Sequence, residues 1–136
     1  MTHVDRLRHA YNEWHESRGQ SVSTWLDLLD EDVQLKSLAD GASEMTFTAP
    51  RRGKAAVAEY FTGLLRDWEM ISFSVHEFVA EGCRVVAVGR CAWRHRVTGK
   101  AVDSPIIGIW RFRAGKAIEF TEFYDTAKAF AAARSD

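Results

Sequence analysis

The stretch 116-KAIEFTEFYDTAK-128 alternates as a strand does, and one of its faces carries Ile118, Phe120, Glu122 and Tyr124. A carboxylate in the middle of an apolar face is the first candidate for chemistry. Removal from water disfavours the charged form and raises the pKa. A carboxyl poised nearer neutrality suits proton abstraction next to a carbonyl. The alternative for Glu122 is a structural carboxylate satisfied by Tyr11, a tryptophan N–H or an arginine, because burial without such partners is costly.

Other reactive residue types offer less. His95 falls near the end of its strand, as a proton shuttle at a site's mouth or as a solvated strand-end residue. Cys91 reads as a small apolar filler, with no neighbouring base to activate it. His15 is adjacent to a buried helix face and is expected on the surface. The five histidines (His3, His9, His15, His76 and His95) show no HxH or HExxH pairing, so no metal is expected. No Gly-rich phosphate loop or dinucleotide fingerprint implies a cofactor; TGK and AGK lie between alternating segments and read as hairpin turns.

The elements that must position these side chains follow from periodicity. Val4, Leu7, Tyr11 and Trp14 recur at helical spacing, so a helix is expected over about residues 3–18, with Gly19 as its stop. A second helix is expected over SVSTWLDLLDED, capped by Ser21. VQLKSLA alternates as a strand, 39-ADGASEMTFTAPRRG-53 reads as a loop, and a helix is expected from Gly53 to Trp68. Strands follow over 70–80, Cys83–Val97, Ala101–Arg113 and the opening stretch, joined by turns at Glu81-Gly82, Thr98-Gly99 and Ala114-Gly115. The tail DTAKAFAAARSD favours a short helix. Helices segregated from a run of hairpins indicate an α+β fold, with the helices on one face of a curved sheet.

A chain of 136 residues suits a single domain, 1–136, and its 46% apolar content supplies a substantial core. A net charge of −1 without long runs of one sign argues against a nucleic-acid or anionic-membrane partner. The polar N-terminus MTHVDRLRHAYNEWHES has no signal-peptide core, and no segment could span a bilayer, so a cytoplasmic location is expected. Cys83 and Cys91 share the parity of one strand, too far apart along it to bond.

The element order, together with YNEW and ESRG on the first helix, LLDEDVQL, RRGKAAVAEYF, TGKAV, WRFRAGKAIEF and the closing FYD, resembles the SnoaL-like and ketosteroid-isomerase-like families. These share the cone-shaped fold of nuclear transport factor 2. The resemblance covers nearly the whole chain and implies a mostly antiparallel sheet wrapped around a conical pocket that the helices close. Strand parity would then turn Gly89, Cys91, Trp93 and His95 inward, with Ser104, Ile106, Gly108 and Trp110 beside them and Phe120, Glu122 and Tyr124 on the last strand. Leu35, Ser37, Phe61, Leu65, Tyr11 and Trp14 would complete the lining. Such an apolar, aromatic set fits a small hydrophobic ligand, aromatic, steroid-like or polyketide-like.

The family's chemistries carry over incompletely. The isomerase base position falls on Ser37, and the isomerase oxyanion Asp falls near Ile107 or Gly108; its helix-one Tyr falls around Tyr11 to Glu13, with Tyr11 as the candidate match. The Asp–Arg–Asp set of limonene epoxide hydrolases falls on Cys91, Gly89 and Glu122, and their water-holding Tyr and Asn on Leu35 and Ser37. A scytalone-dehydratase-like histidine would be His95. Glu122 is the acid that survives, so the resemblance implies cofactor-free acid–base catalysis by Glu122 with Tyr11 or Tyr124 assisting, or a binding or interaction protein of the same fold. The outer sheet face, with Arg90, Arg94, Arg111 and Arg113 among Val86, Val88, Ile107, Ile109 and Phe123, suits a sheet-to-sheet homodimer.

Overall fold

The computed structural model describes residues 1–136. Helix α1 spans His3–Glu16; the Thr2 hydroxyl accepts from the Asp5 N–H while the Asp5 carboxylate accepts from the Thr2 N–H, closing a capping box. Its buried face is Leu7, Ala10, Tyr11 and Trp14, one helical stripe. Helix α2 is short, Val22–Leu28, because strand β1 starts at Leu29 and runs to Ser37. The expected second helix therefore ends four residues early. Leu29 already pairs with Ala117 of the strand over Lys116–Tyr124, and this strand pairing outweighs the helical pattern.

The loop expected over 39–53 holds two further elements, a 3-10 helix Ser43–Thr48 and a two-residue strand β2, Arg51–Arg52. Helix α3 follows over Lys54–Asp67, then strands β3 Trp68–Glu81, β4 Arg84–His95, β5 Ala101–Arg113 and β6 Lys116–Tyr124, and helix α4 Thr126–Ala133. At the last hairpin Ala114 and Gly115 both take positive φ, as a tight turn matching the strand twist requires.

The six strands form one sheet in the order β2-β1-β6-β5-β4-β3. Neighbours are antiparallel except β1 and β6, which run parallel and set Leu35 beside Phe120 and Ser37 beside Glu122. Strand β6 is thus enclosed on both edges, with Gly108 of β5 opposite Glu122. The β5–β6 register slips by one residue between Arg111 and Phe112. This bulge makes Ile118 the extra residue, so Ala117 and Phe120, three apart, are both buried while Ile118 is half-buried. The expectation that Ile118 shares the inner face of Phe120 is corrected: alternation fails where the ladder carries one residue more on one side.

The core is aromatic. Trp25 stacks on Trp110 at 5.5 Å between ring centroids, Trp110 lies 4.2 Å from Phe120, and Tyr11 meets Trp25 edge-on at 4.9 Å. Gly108 makes this packing possible. A Cβ there would lie 2.8 Å from both Phe120 Cε1 and the Tyr11 hydroxyl oxygen. No helix is long and apolar enough to cross a membrane.

Gly108→Ala is expected to destabilise the fold by about 1–3 kcal/mol, the usual cost of overpacking. Urea unfolding checks it; a variant as stable as the wild type would show that the aromatic layer yields freely.

Candidate functional site

Between the inner sheet face and the helices lies a cavity of about 90 Å³, lined by 26 residues, 22 of them hydrophobic. That is room for several water-sized groups, each needing ~10–15 Å³. All five tryptophans and all three tyrosines of the chain line it. Helix α1 contributes Tyr11 and Trp14; α3 contributes Val57, Tyr60, Phe61 and Leu64; the sheet contributes Leu35, Cys91, Trp93, Ile106, Trp110, Phe120, Glu122 and Tyr124. The 3-10 helix adds Met45, Phe47 and Thr48, which reading that segment as loop had left out.

Five of the expected lining residues lie elsewhere: Gly89 and Gly108, which are close-packed in the sheet, and Ser37, Leu65 and His95. Ser37 is buried behind the wall, where its hydroxyl hydrogen-bonds the Tyr124 hydroxyl. Leu65 is one residue off the cavity stripe of α3; it faces Gly19 at the end of α1, while Leu64 reaches the cavity. His95 is buried at the strand end, edge-on to Trp68, and its Nδ1 accepts from the N–H groups of Val97 and Thr98 at 3.3 Å each. It orders the β4–β5 turn and is neither solvated nor a cavity residue. His15 is likewise engaged, its Nδ1 accepting from the Phe73 N–H at 3.1 Å.

Glu122 is half-buried and lines the cavity. Tyr60 donates its hydroxyl to Glu122 Oε1 at 3.4 Å, and no other side-chain hydrogen bond holds this carboxyl. Oε2 is unpartnered and is not among the polar atoms sealed away from water-sized groups. No arginine, lysine or histidine lines the cavity. Desolvation therefore dominates and lifts the Glu122 pKa to about 7, against the smaller opposing effect of the Tyr60 hydroxyl. Tyr60 lies with Val57, Phe61 and Leu64 on the apolar face of α3, and nothing local to that helix points it at a carboxylate 62 residues away.

The neighbouring acids stay protonated near neutrality. Burial and then the Glu122 charge push the Tyr11 and Tyr60 hydroxyls well above the usual phenol range. Tyr124 is pushed up to about 12, first by burial, and its oxygen also accepts from the Ala39 N–H at 3.3 Å. Burial, with the Glu122 charge second, pushes the Cys91 thiol up to about 12, so it is not a nucleophile at neutral pH. Tyr11 Oη accepts from Trp110 Nε1 at 3.0 Å, and its own proton has no acceptor in the protein. The site thus offers one carboxyl able to exchange a proton near pH 7 and one unengaged phenolic donor. No three His, Cys, Asp or Glu residues come together as a metal-ligand group.

A curved mixed sheet closed by helices around such a cavity is the cone of nuclear-transport-factor-2-like proteins. The match of the SnoaL-like domain to residues 5–120 places the chain in that family. An NTF2-like protein of unknown function from Burkholderia pseudomallei K96243 is 22% identical, with a TM-score of 0.80 over 95% of each chain. An NTF2-like protein from Burkholderia xenovorans LB400 is 23% identical, with a TM-score of 0.78 over 96% of this chain and 95% of that one. Another, from Burkholderia thailandensis E264, is 19% identical, with a TM-score of 0.73 over 88% and 94%. Among curated proteins none matches this chain.

The raised carboxyl has a consequence for stability. Between the ordinary Glu value of 4.5 and about 7, the folded chain holds a proton that the unfolded chain releases. This contribution is full below about pH 4.5 and is lost as the pH rises through about 7. Glu122→Gln, which never charges, is therefore expected to be more stable than wild type at pH 8, by about 1–3 kcal/mol at ~1.4 kcal/mol per pKa unit. The difference should shrink below pH 5. Urea melts of both proteins across this range test it, and parallel curves would show that Glu122 titrates normally.

Proposed function

We propose that the protein binds a small apolar organic molecule in this cavity and moves a proton on it with Glu122, without a cofactor. The observation that carries the reading is the free Oε2 of a carboxyl with a pKa of about 7, facing an aromatic cavity that holds no cation. A general base performs best when its pKa lies near the working pH. In the reaction this supports, Oε2 takes a proton from a C–H beside a carbonyl. The C–H electron pair becomes a C=C bond and the carbonyl π pair moves onto the oxygen as the enolate forms. Tyr11, whose proton is otherwise unengaged, donates to that oxygen and stabilises the charge. Glu122 then returns the proton to a carbon, giving isomerisation, or the enolate carbon adds to a second carbonyl carbon of the same molecule, closing a ring as that C=O π pair moves onto its oxygen, which takes the proton back from Glu122. Tyr124, tied to Ser37 and Ala39, is the less available donor.

A second reading is binding without turnover. It is favoured by the absence of a second acid at the positions where related enzymes carry one; Ser37, Cys91 and Ile107 or Gly108 stand there. Hydrogen–deuterium exchange at the carbon beside the carbonyl of small apolar ketones, followed by NMR, separates the two. Catalysed exchange should rise with pH through about 7, as the carboxylate forms. Glu122→Gln should slow it by about 10²–10⁴-fold while ketone binding persists. Tyr60→Phe should move the limb to higher pH, because it removes the hydrogen bond that favours the charged form. Binding without exchange would leave the non-catalytic reading.

For the outer sheet face we propose a homodimer. Ile107 is exposed in the single chain, with Val86, Val88, Ile109 and Phe123 half-buried around it. Arg90 pairs with Asp103 at 2.5 Å and Arg111 with Glu119 at 3.5 Å on the same face, which makes it mixed rather than uniformly charged. Light scattering at micromolar concentration should report a dimer that Ile107→Asp dissociates; a monomeric wild type would reject it.

A further inference from the structure

Charge inside the cavity is one-sided. Glu122 and Asp125 are the ionisable groups of fixed sign that line it, and no lysine, arginine or histidine answers them. Asp125 is already engaged, accepting from the Lys128 N–H as the cap of α4. Glu122 is not: its one protein partner is a 3.4 Å contact from Tyr60, and Oε2 is open. The cavity that Glu122 lines is also lined by all five tryptophans. Indole faces attract cations through the ring quadrupole, most strongly where water is excluded. An anion entering the same space would meet a like charge and the same quadrupoles, both unfavourable.

Resting on the reading of this cavity as the ligand site, we propose that its ligand is an apolar organic cation, a protonated amine or a quaternary ammonium, paired with Glu122 Oε2 and enclosed by indole faces. A positive charge supplies what the empty site lacks, since a buried carboxylate is stabilised by a partner of opposite sign. It also acidifies the C–H bonds beside it, so an amino ketone would satisfy both this inference and the proton transfer proposed above.

The pH dependence follows from the groups that face Glu122. Tyr11 on α1, Tyr60 on α3, Cys91 on β4 and Tyr124 on β6 all keep their protons in the neutral range. Glu122, at about 7, therefore sets the charge that a cation meets.

The test uses three probes of one size, benzylamine (a cation throughout pH 6–8), benzyl alcohol and benzoate, titrated into the full chain by calorimetry and tryptophan fluorescence. Benzylammonium should bind at least tenfold more tightly than benzyl alcohol at pH 8, with benzoate weakest. Its affinity should fall about tenfold from pH 8 to pH 6 as the ionised fraction of Glu122 declines, while that of benzyl alcohol stays level. Glu122→Gln should abolish both the preference and the pH dependence; the pH series on wild type stands if that variant folds poorly. Benzyl alcohol or benzoate binding as tightly as the amine would overturn the inference and leave the ligand-site reading intact. No binding by any probe would overturn both.

Discussion

Water-poor packing around the Glu122 carboxyl raises the free energy of its charge, and nothing cationic in the cavity offsets it. Much of the rest of the site answers to that constraint. Tyr60 supplies one long hydrogen bond, too weak to restore an ordinary acidity. The surrounding phenols and the Cys91 thiol are driven the same way, each burdened by burial and by the same nearby carboxylate. The result is a group of acids that share one apolar-lined space, of which a single member is shifted to about neutral pH.

The sheet makes this arrangement tolerable. Strand β6 lies between the parallel β1 and the antiparallel β5, so the backbone beside Glu122 is hydrogen-bonded on both edges. Gly108 opposite it leaves the space into which Phe120 and the Tyr11 hydroxyl pack. Trp110 then reaches Tyr11, fixing the phenol oxygen as an acceptor and leaving its proton over.

Much of the fold was legible because local patterns agreed with one another. The 101–113 strand and the helical tail were read at or near their observed bounds. The early end of α2, the strand β2 and the 3-10 helix were not, since short elements in a polar loop owe their existence to partners distant in sequence. At the site, parity selected Cys91, Trp93, Ile106, Trp110, Glu122 and Tyr124, which line the cavity together. Parity could not exclude His95, which shares the inward face of β4 but sits beyond the cavity's end.

By itself the sequence determined which face of each long element is apolar, because the periods of strand and helix are properties of the local backbone. It also determined that a carboxylate stands on one such face. Tertiary structure alone decided what that carboxylate meets. Tyr60 approaches it from a helix 62 residues away, Ser37 is taken up by Tyr124, and a single bulge turns Ile118 aside. The acidity of Glu122 depends on dielectric surroundings and partners assembled from α1, α3 and three strands. No local pattern encodes that sum, because the solvent it excludes is removed only when all of them close.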